Sequence, residues 1–380
     1  MKNHFNIVIA GAGGIAEAVS LILAEWSTVT PTLFIGDRNV SKAKKVAKWV
    51  EDGTTKPCNV FSFVIDETAL TNEMISIFQQ GDIILDCLPG TAAPRFAKFA
   101  KEYHLHYANL TEYVAETNEI IALSKNATTA FLLQTGLAPG YIDLVAHELF
   151  KDFCSTYKVN SVQTLEFKVG ALTKHAIAPH YYGFTWSPIG VATEYMKDTI
   201  VLRNYLKTTL PSLSNRASII IDGITYEEDL TSGGAADLPD ALEGKVGHLD
   251  YKTLRYPGHY SWIDKQIKEM SQTENSIESL QKKMQETIPN VDDDKIVLYA
   301  AVEGKDIGGV LRRREIAKTI FPQKIGNHYL RAIQTTTAAP LAQAAQLLLE
   351  GSLKGPILQS QIDSAAFLNG HFVTKVYGKL

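Results

Sequence analysis

The first third of the chain alternates short apolar runs with stretches of helical period, at the spacing of β-α-β units. FNIVIA (residues 5–10) is short, apolar and β-branched, the composition of a strand buried on both faces. A helical pattern follows through Ala24, and TLFIGDRN (32–39) is a second strand ending in Asp37. NVFSFVID (59–66), GDIILDCLPG (81–90), HLHYANLTEY (104–113) and TTAFLLQTG (128–136) continue the series. Together they predict an α/β fold with a doubly wound parallel sheet of about six strands and helices between them.

The pattern changes after Ala138-Pro139-Gly140. A helix is predicted over 141–153. SVQTLEFKVGAL (161–172), ASIIIDGITYEEDL (217–230) and KIVLYAAVEGK (295–305) then read as strands of a second sheet with antiparallel alternation. Ile263, Ile267, Met270, Ile277, Leu280 and Met284 mark 263–287 as a surface helix with one apolar stripe. TTTAAPLAQAAQLLLEG (335–351) is a helix with Pro340 near its first turn and Gly351 as its stop. No internal repeat or low-complexity linker is visible.

Composition narrows the class. A length of 380 residues exceeds one typical core, so at least two domains are expected. The 45% hydrophobic and 21% charged content is that of a soluble globular protein, and a formal charge of −4 gives no attraction to nucleic acid or anionic membrane. Cys58, Cys87 and Cys154 are odd in number and far apart, so neither a disulfide framework nor a metal site is expected. A reducing, cytoplasmic setting is expected, with Cys87 and Cys154 as buried apolar thiols. The start of the chain has a lysine and then apolar residues, as a signal peptide does, but glycines and Glu17 interrupt the run and it continues as strand, turn and helix. No apolar run approaches the ~20 residues that span a bilayer.

The chemistry begins at Gly11-Ala12-Gly13-Gly14-Ile15-Ala16, a G-x-G-x-x-A turn between the first strand and its helix. Gly11 permits the tight turn, Gly13 a close backbone approach to a pyrophosphate, and Ala16 close helix packing, while the helix N-terminus faces the phosphates. Asp37 lies 26 residues beyond Gly11, where a carboxylate accepts both ribose hydroxyls and repels a 2′-phosphate. A Rossmann dinucleotide site binding NAD in preference to NADP follows, with Gly11, Gly13, Gly14, Ile15 and Asp37 as contacts. Arg38 blurs that preference, since it could hold a 2′-phosphate or stack on adenine. Asp66 is placed to approach the adenine edge or to cap a turn. Cys87, Leu88 and Pro89 form a loop expected under the nicotinamide ribose. Ligands in such sheets sit at the carboxyl ends of the strands, which also singles out Thr111, Glu112 and Gln134.

QTGLAPGYIDLVAHEL (134–149), YYGFTWSPIGVATEY (181–195), TSGGAADLPDALEGKVGHLDYKTLRYPGH (231–259) and TTTAAPLAQAAQLLLEG (335–351) resemble, in order, the blocks of the saccharopine dehydrogenase family. That family includes saccharopine reductases and L-lysine 6-dehydrogenases. The Asp37 strand end and the Tyr-Pro-Gly-His turn look more like the lysine 6-dehydrogenase branch. The resemblance implies a Rossmann domain (1–138), an inserted α+β substrate and dimerisation domain (139–334), and a C-terminal segment (335–380) returning to the Rossmann domain. It implies a homodimer and a small amino acid substrate.

Within that family motif, LDYKTLRYPGHYSW (249–262) is the expected wall of the substrate site. Arg255 is the carboxylate-gripping candidate, because a planar guanidinium binds carboxylates bidentately and flanking tyrosines can lock it. Strand alternation puts Lys252, three residues away, on the other face, where it is expected to be solvated or bonded to the other domain. His259 is a candidate proton shuttle or a cap of the Pro257-Gly258 turn. Glu112 is a candidate base for an ε-amine or an ordinary helix-start carboxylate, with Thr111 as cap. Asp143 is a helix-start residue or an amine ligand. Trp186 and Ser187 offer an apolar wall and a hydroxyl, and His180 and Tyr181 are further pocket candidates. LRRRE (311–315) is read as a solvated charge run.

Together with these residues, the resemblance implies an NAD(P)-dependent oxidoreductase acting on the CH–NH or CH–NH₂ group of a lysine-related amino acid, saccharopine dehydrogenase-like or L-lysine 6-dehydrogenase-like. Carboxynorspermidine-type reductive condensation and an NAD-binding sensor without turnover are the alternatives.

Overall fold

The structure is a computed structural model and describes residues 4–270 and 276–380. The chain divides into two compact units: one contains the residues up to Tyr141, Gln323–Leu330 and Gln334–Lys379, the other Ile142–Pro322, Arg331–Ile333 and Leu380.

The first unit opens with β1 (Phe5–Ala10), α1 (Gly14–Trp26), β2 (Pro31–Asp37), α2 (Val40–Gly53), β3 (Asn59–Val64) and α3 (Asn72–Gln80). It continues with β4 (Ile83–Asp86), α4 (Ala93–Glu102), β5 (His106–Asn109), α5 (Val114–Ser124) and β6 (Ala130–Leu132). These six strands pair in parallel in the order β6-β5-β4-β1-β2-β3, the doubly wound order in which the chain reverses direction between β1 and β4. Their near-continuous apolar runs follow from burial on both faces: Val8, Ile9 and Ala10 are fully buried, as are Ile83, Ile84 and Leu85. A seventh parallel strand, Gly355–Ile357, adds to β6. At three residues, it is too short to announce itself by periodicity.

In the second unit, α6 (Tyr141–Tyr157) leads to β7 (Val162–Thr173), and α7 (Pro188–Met196) leads to the hairpin β8 (Thr199–Arg203) and β9 (Leu206–Leu210). Next come β10 (Ala217–Ile221), β11 (Ile224–Leu230), α8 (Leu238–Leu242), β12 (Val246–Arg255), α9 (His259–Lys268), α10 (Ile277–Thr287), β13 (Asp294–Lys305) and β14 (Leu311–Ile320). The main sheet runs β10-β11-β12-β7-β13-β14, with β8 also on β12. It is mixed rather than antiparallel throughout, because β12 and β7 pair in parallel. The run 217–230 is a hairpin rather than one strand. It turns at Asp222-Gly223, both at positive φ, as a tight right-twisted hairpin requires.

The amphipathic segment 263–287 resolves into α9 and α10, and the part of that prediction over 271–275 lies outside the described residues. Its apolar stripe faces a core, not the surface. Ile263, Met270, Leu280 and Met284 pack with Tyr182, Val191, Tyr195 and Tyr260. The long C-terminal helix α11 (Ala332–Glu350) begins before the predicted start, with Asp294 accepting from the backbone N–H groups of Ala332 and Ile333 at 2.7 Å each. Pro340 therefore sits inside it.

Lys252 is a correction. It lies opposite Arg255 as alternation requires, yet it is buried within its own unit and is neither solvated nor bonded to the other. Its Nζ donates to Glu228 (3.1 Å) and to Asn215 Oδ1 (2.7 Å). Lys168, its register partner on β7, lies 2.8 Å from Glu228 and 2.5 Å from Glu166. Two buried ammonium groups thus share one buried carboxylate, the pairing that burial of charge demands. The 311–315 run is likewise paired: as part of β14, Arg313 binds Glu166, Glu303 and Glu315, Arg314 binds Asp152 and Arg312 binds Asp306.

Candidate functional site

In the first unit the candidates gather at the carboxyl ends of β1, β2, β4 and β5. Gly11 has φ +103°, and a Cβ there would lie 3.1 Å from the Cys87 carbonyl oxygen, so the turn into α1 demands glycine. Its N–H donates to the Gly36 carbonyl at 2.7 Å. Gly13 caps α1 without any side-chain hydrogen bond, and no atom lies within 4 Å of where its Cβ would be. The helix start therefore presents N–H groups to open space that any side chain would fill. Gly14 and the half-buried Ile15 begin α1, and the Gly14 carbonyl accepts from Gln334 Nε2 at 3.0 Å.

Asp37 is half-buried at the end of β2. Its carboxylate accepts from Ala12 N–H (3.0 Å) and Asn39 N–H (2.9 Å), which holds it beside the glycine turn with acceptor capacity to spare. Arg38 points away into an exposed pair with Glu67 at 2.9 Å. Asp66 caps its own turn, accepting from Thr68 and Ala69 N–H, and those hydrogen bonds lower its carboxyl pKa. The capping role is the one seen.

Cys87 hydrogen-bonds from its N–H to Ala10, and burial pushes its thiol up, leaving a small apolar residue under the glycine turn. Leu88 N–H donates to Asp86 at 3.0 Å, and Pro89 leads into Gly90, which lies against Thr111 and Tyr113. Glu112 is half-buried between β5 and α5. It is not a helix-start residue. Tyr113 is the N-cap, its side chain making no capping hydrogen bond to the helix start, and the Thr111 hydroxyl accepts from Tyr113 N–H. Asn109 joins the strand ends by accepting from Gln134 N–H at 2.9 Å, a role its position in ANL did not announce.

Asp86 bears on stability. Burial raises its carboxyl pKa to about 6, while hydrogen bonds from Tyr107 (2.8 Å) and Leu88 oppose the rise. Because the folded value is above the unfolded one, native stability is fullest below pH 4 for this group. It falls as the pH rises towards 6, by about 3 kcal/mol at most. Asp86→Asn is expected to remove that descent. Urea midpoints of variant and parent should converge near pH 4 and separate above pH 6 in the variant's favour. A constant difference across the range would refute the assignment.

In the second unit, Tyr251, Thr253 and Arg255 share one face of β12. Arg255 is 1% exposed, with Cζ 4.7 Å from the Tyr182 ring and 5.6 Å from the Tyr195 ring. Its Nε donates to Tyr195 Oη at 2.7 Å and Nη1 to the Leu254 carbonyl at 3.0 Å. Nη2 has no hydrogen-bond partner and stands 3.7 Å from Glu194 Oε2. Glu194 and Tyr195, both on α7, are functional candidates that the sequence reading passed over although they end the quoted block 181–195.

His259 does not cap the turn with its ring. Gly258, at φ +99°, makes the turn, and the ring is fully buried in the first turn of α9. Nδ1 lies 2.6 Å from the His180 carbonyl and Nε2 3.0 Å from Tyr195 Oη. Burial, reinforced by Arg255, lowers its pKa to about 3. A neutral ring with both nitrogens engaged is not placed to shuttle protons. His180 is buried, its Nδ1 accepting from Tyr182 N–H, and burial lowers its pKa. Tyr181 lies on the Pro257-Gly258 turn. Trp186 lies against Gly190, and the Ser187 hydroxyl is spent as the α7 cap, accepting from Gly190 N–H at 3.4 Å. Asp143 is fully buried in the first turn of α6, near Tyr251.

A groove beside Trp26–Pro31, lined by Phe5, Leu23, Leu349 and Phe372, lies at the opposite, amino-terminal ends of the strands and contains none of these residues. Among the described residues no cluster of His, Cys, Asp or Glu could hold a metal, and no helix is long and apolar enough to cross a membrane.

A doubly wound sheet of order 3-2-1-4-5-6, a glycine turn cradling open space at a helix start and an acidic second strand end define a nicotinamide dinucleotide-binding oxidoreductase fold. Residues 7–133 match the saccharopine dehydrogenase NADP-binding domain and residues 136–369 the saccharopine dehydrogenase C-terminal domain. The chain belongs to the saccharopine dehydrogenase family. Among solved structures it is similar to apo saccharopine dehydrogenase (L-Glu forming) from Saccharomyces cerevisiae, at 14% identity and TM-score 0.72, over 95% of each chain. It is also similar to homospermidine synthase from Legionella pneumophila in complex with NAD, at 12% identity and TM-score 0.69, over 99% of this chain and 90% of that one. At such identities these two likenesses speak for the fold.

Proposed function

We propose that the protein is an NAD-dependent dehydrogenase that oxidises the CH–NH or CH–NH₂ group of a lysine-related amino acid. The observation that carries this reading is Arg255: a buried guanidinium with two nitrogens hydrogen-bonded and the third without a hydrogen bond, at 3.7 Å from Glu194, in the unit matched by the family's C-terminal domain. Burying a guanidinium without an anion in full contact is costly, and a substrate carboxylate at Nη2 would complete it.

The nicotinamide dinucleotide, when bound, supplies the hydride acceptor. The backbone at Gly11–Gly13 and the start of α1 would hold its pyrophosphate, and Asp37 its ribose. A lysine ε-amine, with a usual pKa near ~10.4, must lose a proton before its lone pair can assist loss of hydride from the adjacent carbon. Glu112 is the proposed base. Water then adds to the substrate imine, and collapse of the adduct releases ammonia from lysine, or glutamate from saccharopine, leaving an aldehyde. Arg255 holds the carboxylate and Asp143 is the proposed amine ligand. Asp37 beside the turn, with Arg38 diverted to Glu67, supports NAD over NADP. A cytoplasmic homodimer goes with this reading.

The second reading, a reductive condensation of amine with aldehyde, draws on the similarity to homospermidine synthase and on Glu194, a carboxylate suited to a polyamine, beside Arg255. One assay separates them. NADH formation is followed with L-lysine and saccharopine, using NAD and NADP side by side, and NAD(P)H consumption is followed with cadaverine plus an aldehyde. Turnover of lysine or saccharopine, at least about 10-fold more efficient with NAD, is expected. Turnover of cadaverine alone would favour the polyamine reading, and turnover of none would overturn both.

A further inference from the structure

We propose that Tyr195 and His259 form a directional hydrogen-bond relay that positions Arg255, so that the guanidinium offers a ligand only its Nη2 edge. The inference rests on the proposed function for its ligand, a substrate carboxylate, and on geometry for its direction. A carbonyl oxygen can only accept, so the 2.6 Å contact from His180 to His259 fixes the proton on Nδ1. In a neutral ring the other nitrogen then has a lone pair, and Tyr195 must donate to it across 3.0 Å. The phenol oxygen is thereby turned to accept from Arg255 Nε, the 2.7 Å bond. Each link leaves the next one choice. With Nη1 on the Leu254 carbonyl, every arginine nitrogen but Nη2 is committed before a ligand arrives.

Neutrality of His259 is what keeps the relay directional. The groups facing it are Arg255 on β12, Tyr195 on α7, His180 and Tyr182 on the preceding segment, and Tyr260 and Trp262 on α9, with Arg216 contributing a further positive charge. Among the described residues no carboxylate is hydrogen-bonded to the ring to hold a second proton. A protonated ring would turn Nε2 into a donor, Tyr195 would have to accept from it, and the bond to Arg255 would be contested. His259 and Tyr195 are positioning residues in this account: they act through Arg255 and touch no reacting atom.

The full-length protein is tested as Tyr195→Phe, His259→Asn and His259→Gln. Glutamine can place its carbonyl oxygen near the position of Nε2 and accept from Tyr195, whereas asparagine is too short. With L-lysine or saccharopine and NAD, Tyr195→Phe and His259→Asn are expected to raise KM about 10-fold with kcat changed less than about threefold, the mark of lost ground-state binding. His259→Gln should return KM to within about threefold of the parent. A fall in kcat with loss of a limb in its pH profile would instead make His259 a proton carrier and overturn the relay. Equal losses in all three variants would do the same, reducing it to packing.

If the parent turns over neither amine, the functional reading fails while the relay is still decided by nitrogen-15 NMR. The relay requires a neutral, Nδ1-protonated His259 from pH 5 to 8 and slow exchange of Arg255 Nε–H that is lost in His259→Asn. An Nε2-protonated ring, or titration near pH 6.5, overturns it without reference to any substrate.

Discussion

Arg255→Ala is expected to raise KM for L-lysine or saccharopine by about 30- to 150-fold, the loss of roughly 2–3 kcal/mol for a buried charge-assisted contact. The same change should also weaken the second unit. It removes the cation 3.7 Å from Glu194, frees the Tyr195 hydroxyl of its donor and empties the space between two tyrosine rings. Uncovering one partner of a buried pair costs about 3–5 kcal/mol, so the urea midpoint should fall clearly. Arg255→Lys separates the two effects. It keeps the charge under the aromatic rings and so most of the stability, but a point charge cannot serve Tyr195, Leu254 and a carboxylate together. KM should therefore stay high in the lysine variant while the midpoint recovers. NADH affinity, measured by fluorescence, should be unaffected in both. If Arg255→Lys restores KM as well as stability, gripping of a carboxylate by the Nη2 edge is wrong.

Gly13→Ala is expected to weaken NADH binding by about 10- to 100-fold without loss of stability. The backbone there is extended, with φ −90° and ψ −177°, which alanine adopts freely, and no protein atom would meet the new methyl group. What it would meet is a pyrophosphate approaching the helix start. Gly11→Ala is the contrasting change. At φ +103° and 3.1 Å from the Cys87 carbonyl oxygen, it is strained in the protein itself, and a loss of about 1–3 kcal/mol in folding stability is expected. Thermal unfolding and NADH titration of both variants check the pair. Unchanged NADH affinity in Gly13→Ala would mean that the dinucleotide does not approach the turn as proposed.

The cofactor unit was legible because its signals are local. A glycine forced to positive φ, a helix starting three residues later and an acidic strand end lie within one β-α-β unit, and apolar runs at regular spacing mark the other strands. The three-residue strand Gly355–Ile357 was not legible, since no period can be read over that length. The second unit was legible only in part. Asp222-Gly223 carried a hairpin signal that splits 217–230 in two, but nothing local said that β12 would lie parallel to β7.

That pairing decided the fate of Lys252. Alternation correctly set it opposite Arg255, and solvent was then the natural place for a lysine. The register of β11, β12 and β7 instead brings Glu228, Lys252 and Lys168 together on one face, where the carboxylate makes burial tolerable. His259 and Ser187 moved from candidate chemistry to support for a similar reason. A hydroxyl or imidazole is equally able to serve a ligand or its own backbone, and the choice depends on which groups come within about 3 Å.

By itself, the sequence determined the periods, the glycine turn with Asp37 at the second strand end, and the side of the strand on which Arg255 must lie. All of these follow from backbone geometry over a few residues. Only the tertiary structure decided that Arg255 is sealed between Tyr182 and Tyr195, that His259 is a neutral link in its support, and that Glu194 stands beside its one uncommitted nitrogen. Tyr195 on α7 lies 60 residues from Arg255 on β12 and 64 from His259 on α9 in the chain, and burial and protonation are properties of their meeting.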